Sequence, residues 1–139
     1  MRTILRRGAV AALLLAGLGC SDSTSPVAID PVGTWSGTTS QGRAISFTVT
    51  AAGVTGGALS YLVVGTGCTV DASVTIGGSA AAPVQNNQFT AVIDLSGSLG
   101  VIYTINGTFT SNTNAGGTLN VNDLDCNGTL NTSWTATKA

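Results

Sequence analysis

Alternation of apolar and polar residues is the feature that most constrains the fold of this chain. In the stretch CTVDASVTI, residues 68–76, apolar side chains occupy every second position, and Thr, Asp or Ser fills the positions between them. A period of two is typical of a β-strand with one face against a core and the other in water. Strand-like stretches of this kind predict about eight strands, at residues 32–37, 43–50, 58–64, 68–76, 88–95, 101–110, 117–123 and 129–137.

The connections between these stretches are short. The segment AAGVTGG, residues 51–57, is predicted to be a turn, and GGSAAAPVQNN, residues 77–87, is predicted to be a loop. Short connections favour antiparallel neighbours, because parallel strands need long crossovers. Residues 32–139 show no convincing helical period. We therefore predict an all-β fold, a single antiparallel domain in which a meander barrel is favoured over a β-sandwich.

The scarcity of charge does not indicate disorder. Charged residues make up 8% of the chain, but 43% of it is hydrophobic. Segments fail to fold when apolar content is low and net charge is high, so we expect this chain to fold. Beyond residue 19 the basic residues are Arg43 and Lys138, against six acidic residues that are all Asp. A surface without a basic stripe argues against nucleic acid as a partner.

The N-terminal residues indicate export. The chain opens MRTILRR, and an apolar run follows at residues 8–19. A transmembrane helix needs roughly 20 apolar residues, so this shorter run matches the hydrophobic region of a secretory signal. It ends at Leu18-Gly19-Cys20, which resembles the lipobox of bacterial lipoproteins, although that family usually has Leu where this chain has Gly17. The alternative is an ordinary secretory signal that is cut nearby, with Cys20 lost or free.

The chain is thus divided into a signal peptide at residues 1–19, a lipidated Cys20 with a flexible tether at residues 20–31, and a β-domain at residues 32–139. The resemblance implies attachment to a membrane through the lipid on Cys20, since two or more acyl chains give stable anchoring. Ser21 stands where, in the sorting rule of two-membrane bacteria, Asp favours retention in the inner membrane. We therefore expect a lipid-anchored protein of the cell envelope, with the outer membrane favoured where the cell has one.

Two cysteines remain once Cys20 is taken by the lipid. In a meander, Cys68 begins the fourth strand and Cys126 lies near the end of the seventh, so both lie at the same end of the sheet. An exported domain meets an oxidising space in which disulfides persist. We therefore predict a Cys68–Cys126 disulfide, with two buried free thiols as the alternative. Closing a loop of about 59 residues contributes about 4 kcal/mol in the chain-entropy estimate.

The segment DLDCNG, residues 123–128, matches the start of an EF-hand calcium loop. Asp123, Asp125 and Asn127 would supply oxygen ligands, which suit Ca²⁺. The twelfth position of such a loop should be a bidentate Glu, and here it is Trp134. We therefore favour a polar hairpin turn at this segment, and predict no metal site and no cofactor.

The first strand contains Gly33-Thr34-Trp35, which resembles the G-x-W that opens the first strand of calycins, the lipocalin and avidin group. In that group a basic residue near the end of the last strand packs over the Trp and closes the barrel. The resemblance implies this role for Lys138 over Trp35. The simpler interpretation of Trp35 is a core aromatic residue. The further Trp residues of an avidin pocket have no counterparts, since Trp35 and Trp134 are the two in the chain.

The sequence does not predict catalysis. General acid–base chemistry draws most often on His, and the chain has none. We therefore expect a non-catalytic surface or interaction module whose inward side chains fill the barrel. The alternative is a calycin-like barrel that binds a small apolar ligand, because eight strands can either fill with side chains or hold one ligand. The protein or small-molecule partner is not identified by the sequence.

Overall fold

The structure, a computed structural model, describes residues 28–77 and 81–139 of the chain. The signal peptide, Cys20 and Ser21 lie outside these residues. The described strands are β1 (Gly33–Thr39), β2 (Ala44–Thr50), β3 (Gly53–Gly65), β4 (Cys68–Ile76), β5 (Gln88–Leu95), β6 (Val101–Phe109), β7 (Asn114–Asp123) and β8 (Gly128–Lys138). A single helical turn, α1 (Ser96–Leu99), lies between β5 and β6. Across the described ranges, no helix is long and apolar enough to cross a membrane.

The eight strands form one antiparallel sheet, which confirms the predicted all-β meander. Their order is β4-β3-β2-β1-β8-β7-β6-β5, so strands that are consecutive in sequence pair with each other except at β4 and β5, and β1 also pairs with β8. A further pair, Gly65 with Gly128, joins β3 to β8 and closes a four-stranded barrel of β1, β2, β3 and β8. Within the described residues β4 and β5 do not pair with each other, so the sheet ends at these two strands.

Two predicted connections differ from the structure. Residues 51–57 are not a turn, because the turn is confined to Ala51 and Ala52 and β3 already begins at Gly53. A β-bulge between β2 and β3, at Thr48 and Val49, accommodates the irregular start of β3. The helical turn α1 was not predicted either, since four residues are too few to show a helical period.

The two ends of the barrel have different contents. At the tether end, where β1 begins and β8 ends, buried aromatic rings fill the interior. Trp35 and Phe109 have ring centroids 5.0 Å apart, and Phe47 lies 5.5 Å from Trp134 and 5.6 Å from Phe89. These rings bury large apolar areas and pack together the strands that carry them, which are β1, β2, β5, β6 and β8.

At the other end, which we call the disulfide end, Cys68 and Cys126 form the predicted disulfide. Cys68 is the first residue of β4, and Cys126 lies in the connection between β7 and β8. Their Cα atoms are 5.8 Å apart, and the residues are separated by 58 positions in sequence. The disulfide therefore ties the start of the edge strand β4 to the part of β8 that closes the barrel.

Candidate functional site

A cavity of about 290 Å³ lies between the β2–β3 layer and β5, beside the open edge of the sheet. We call it the first cavity. Its floor consists of buried apolar side chains: Ile45, Phe47, Leu59, Phe89, Ile93 and Ile105. Its rim is half-buried and includes Val54, Ile76, Ala82 and Ala91. Among the described residues that line it, none is charged.

The first cavity exists because β3 offers little side-chain volume where it passes the space. Gly57 is the register partner of the inward residue Phe47, but it adds no side chain to the interior. Gly56 lines the same space one residue earlier. Ala91 is the small residue between Phe89 and Ile93 on the inward face of β5. Small residues on both walls therefore leave a gap in a core that is otherwise filled.

A short loop completes the rim of the first cavity. The backbone N–H and carbonyl groups of Val54 and Ala82 exchange hydrogen bonds of 2.8 and 2.9 Å. Gly53 permits this approach, because a Cβ atom at this position would overlap the carbonyl oxygen of Ala82. The loop at residues 81–83 is therefore fixed against the start of β3, and the rim lies at the tether end of the barrel.

A second cavity, of about 490 Å³, lies along the same open edge at the disulfide end. Its walls come from the inward face of β4 and from β6, and include Val70, Ala72, Val74 and Val101. Exposed Leu99 and Asp125 contribute to its border, so this cavity is a groove open to solvent. The second cavity is larger than the first but less well enclosed by buried residues.

Tyr61 and Tyr103 line the second cavity, each next to an inward residue of the first cavity, Leu59 or Ile105. Their hydroxyl groups are hydrogen-bonded at 2.9 Å, and their rings meet edge to face with centroids 5.4 Å apart. Burial is the main cause that raises the pKa of Tyr103, followed by its hydrogen bond to Tyr61. The pair joins β3 to β6 across the interior, where no backbone pairing connects these strands.

At the tether end, the structure brings together the two residues that the calycin resemblance singled out. Lys138 is the register partner of Trp35, and its Nζ atom lies 5.7 Å from the centroid of the Trp35 ring. A cation at this distance is attracted by the ring face. The Lys138 side chain crosses Gly33, where a Cβ atom would lie 2.8 Å from the Lys138 Cε atom. Trp35 is also fully buried, so it serves as a core residue as well.

The last residues of the predicted tether also contact this end of the barrel. The Trp35 indole donates a 2.8 Å hydrogen bond to the carbonyl of Pro31, and Lys138 Nζ donates one of the same length to the carbonyl of Asp30. Ile29 packs against the core. Residues 29–31 therefore lie against the same end of the barrel as the rim of the first cavity.

The three calcium candidates belong to the hairpin connection between β7 and β8. Asp123 is buried, and its Oδ1 atom accepts a 2.8 Å hydrogen bond from the backbone N–H of Cys126. Asp125 is exposed and its carboxylate lies against Gly100, whereas Asn127 has a φ of 48° and makes the last step of the connection. The described residues contain no group of three or more His, Cys, Asp or Glu side chains that could hold a metal ion. These residues therefore shape a turn.

Sequence reasoning missed the residues that create the first cavity. Gly56 and Gly57 fall within the predicted turn at residues 51–57, and Ala91 falls within the predicted strand at residues 88–95. Their signal in the sequence is the small size of these residues, which leaves core volume unfilled. The expectation of a filled barrel therefore agrees with the aromatic cluster at the tether end but not with the space beside β5.

No protein-family model, no curated protein and no solved structure matches this chain. The likenesses to the lipobox and to the calycin G-x-W rest on the short stretches that carry them. Function must therefore be inferred from the geometry of the described residues.

Proposed function

We propose that this protein is an exported lipoprotein, anchored through Cys20, whose β-domain binds one small apolar ligand in the first cavity. The observation that carries the proposal is the cavity of about 290 Å³ with a floor of buried apolar side chains. Ligand sites are concave, mostly apolar and usually preformed, with volumes from about 300 Å³ upward. The first cavity lies at the small end of this range, so we expect a ligand of modest size.

The composition of the cavity walls supports binding without catalysis. The polar side chains that line the first cavity are Ser46, Thr55 and Thr90. None of these hydroxyl groups has a His or carboxylate partner among the hydrogen bonds of the described residues. A nucleophile needs an adjacent base, and the first cavity offers no such arrangement. We therefore propose a binding protein and not an enzyme.

The two basic residues of the β-domain already have partners. Arg43 forms a bidentate contact with Asp71, with N–O distances of 2.8 and 2.7 Å. Lys138 lies over Trp35 and donates to Asp30. Since phosphate contacts need available Lys or Arg side chains, we propose that the domain does not act on nucleic acid.

The proposed anchor agrees with the position of the cavity rim. Ile29 and Asp30, which follow Cys20 closely in sequence, contact the tether end of the barrel, and the rim of the first cavity lies at that end. A lipid on Cys20 would hold this end near the membrane surface. We propose a place in the cell envelope, at the outer membrane where one is present, in which an apolar ligand could reach the rim from the bilayer.

A second candidate function is the non-catalytic interaction module that the sequence favours. The observation in its support is that β4 and β5 each have one edge unpaired within the described residues. An edge strand presents free N–H and carbonyl groups, which an extended segment of a partner protein could pair with. The binding experiment below separates the two functions, since a partner strand needs no empty cavity.

The test uses the mature chain, residues 20–139, with Cys20→Ser, exported behind a cleavable secretory signal. It is titrated with N-phenyl-1-naphthylamine, an uncharged apolar fluorophore. We expect saturable binding at one site. Ala91→Leu should weaken binding by about tenfold or more, because the larger side chain occupies the cavity.

The matched control is Ala72→Leu, the same change at a half-buried inward position that lines the second cavity. It should leave the affinity for the fluorophore within about twofold of the parent protein. Absence of saturable binding, or equal losses in the two variants, would count against the first cavity as the ligand site.

A further inference from the structure

The two cavities are neighbours along the open edge of the sheet, between β3 and β6. On β3, Leu59 lines the first cavity and Tyr61, the next inward residue, lines the second. On β6, Ile105 lines the first cavity and Tyr103, the neighbouring inward residue, lines the second. The two tyrosine rings therefore stand where the first cavity ends and the second begins.

The tyrosine pair is buried, and its two hydroxyl groups are hydrogen-bonded to each other. The exposed fractions of Tyr61 and Tyr103 are 4% and 1%. Their hydroxyl groups satisfy each other at 2.9 Å, and the two rings lie at 70° to each other. Buried polar groups that lose their partner carry a desolvation cost, so the pair resists separation.

The shape of the first cavity favours a linear ligand. Its lining follows β5 from Phe89 to Ile93, a distance of about 13 Å at the usual rise per residue. A volume of about 290 Å³ over that length gives a mean cross-section of about 20 Å². This is close to the cross-section of one extended hydrocarbon chain. The lining contains no charged residue to select a headgroup.

We infer that the Tyr61–Tyr103 pair closes the ligand site behind the floor residues Leu59 and Ile105, and limits the length of an unbranched hydrocarbon chain that enters from the rim. The inference rests on the proposed function and adds to it the ligand's shape and the residues that determine specificity. The polar head of the ligand stays outside at the rim, beside Val54 and Ala82. Removing either ring joins the first cavity to the second and lets a longer chain bind.

The test measures displacement of N-phenyl-1-naphthylamine by uncharged alcohols from 1-octanol to 1-tetradecanol, with the mature Cys20→Ser chain. Each methylene that enters the cavity should raise affinity by roughly fourfold. Methylenes beyond the floor should add little, so the affinity of the parent protein should reach a plateau within the series. Fatty acids of matched length should reach a plateau at the same chain length, because the headgroup is not recognised.

Two variants remove a ring while keeping a strand-forming apolar residue: Tyr103→Val and Tyr61→Val. Either one, once a cooperative thermal transition shows that it is folded, should move the plateau to longer alcohols. Tyr103→Phe keeps the ring and should keep the plateau in place. Leu59→Ala enlarges the first cavity without removing either ring, and should also leave the plateau where it is.

The outcomes separate this inference from the proposed function. If the parent protein binds neither fluorophore nor alcohols, the proposed function fails, and this inference fails with it. If the fluorophore binds but affinity rises through the whole alcohol series, or if the plateau stays unmoved in a folded Val variant, the length limit is wrong while the ligand site stands. The parent protein's own plateau decides the matter even if both Val variants fail to fold.

Discussion

Gly65 on β3 and Gly128 on β8 are direct register partners, and their pairing closes the barrel at the disulfide end. A Cβ atom at Gly65 would overlap the carbonyl oxygen of Cys126. A Cβ atom at Gly128 would lie 2.7 Å from Cγ1 of Val63. The two backbones can therefore approach this closely only because neither residue has a side chain.

Gly65→Ala should lower the free energy of unfolding by about 1 to 3 kcal/mol, because overpacking against a fixed backbone forces the closing strands apart. Urea denaturation followed by tryptophan fluorescence measures the change. Gly77→Ala is the control, since a Cβ atom there has no atom within 4 Å. Equal stability of the two variants would show that the close approach of β3 and β8 is not needed.

Replacing both Cys68 and Cys126 by Ala should lower the free energy of unfolding by about 4 kcal/mol, through the entropy regained by the unfolded chain. The disulfide lies beside the closing pair of glycines, so its loss also loosens the start of β4. Denaturant titration of the double variant, compared with the oxidised parent protein, gives the difference. A loss below about 1 kcal/mol would mean that the native contacts hold this end without the disulfide.

Stability at alkaline pH should depend on Tyr103. Burial raises the pKa of Tyr103 above its ordinary value of about 10, so the folded state keeps this proton more tightly than the unfolded state. The contribution is fully present below about pH 10 and is lost as the pH rises further, because the unfolded chain ionises first. The free energy of unfolding should thus fall less steeply above pH 10 in Tyr103→Phe than in the parent protein. Identical slopes would contradict this role of the buried phenol.

Much of the fold could be predicted because alternation is a local property. Residues 68–76 alternate strictly, and β4 occupies Cys68–Ile76 with its inward face half-buried as expected. The disulfide was also predictable, because an antiparallel meander places Cys68 and Cys126 at one end whatever the details of the turns. The first inference needs only the local pattern of residues, and the second needs only the order and direction of the strands.

The site could not be predicted because it depends on which strands and side chains meet over long separations in sequence. The first cavity requires that β4 and β5 stay apart and that Gly57 on β3 pairs with Phe47 on β2. The length limit requires Tyr61 and Tyr103 to meet over 42 positions in sequence. The predicted strands at residues 58–64 and 101–110 contain the two tyrosines, but the pattern does not show which side chains touch.

The proposed anchor predicts that Cys20 carries lipid. Expression of the full chain in a bacterial host supplied with labelled palmitate should give a labelled protein, and Cys20→Ser should abolish the label. The membrane fraction should retain the parent protein after a high-salt wash, because acyl chains and not charges hold it. If both proteins remain unlabelled, the ordinary secretory signal becomes the better interpretation of residues 1–19.

The most direct test of the central claim is to locate the bound ligand by NMR of methyl-labelled protein. The mature Cys20→Ser chain is saturated with N-phenyl-1-naphthylamine, and the shifts of its methyl groups are compared with those of the free protein. The predicted result is large shifts at residues of the first cavity, Ile45, Leu59, Ile93 and Ile105, with small shifts at Val70, Val74 and Val101 of the second. Large shifts confined to the second group, or weak shifts spread over exposed methyl groups such as those of Val64 and Leu124, would contradict the account.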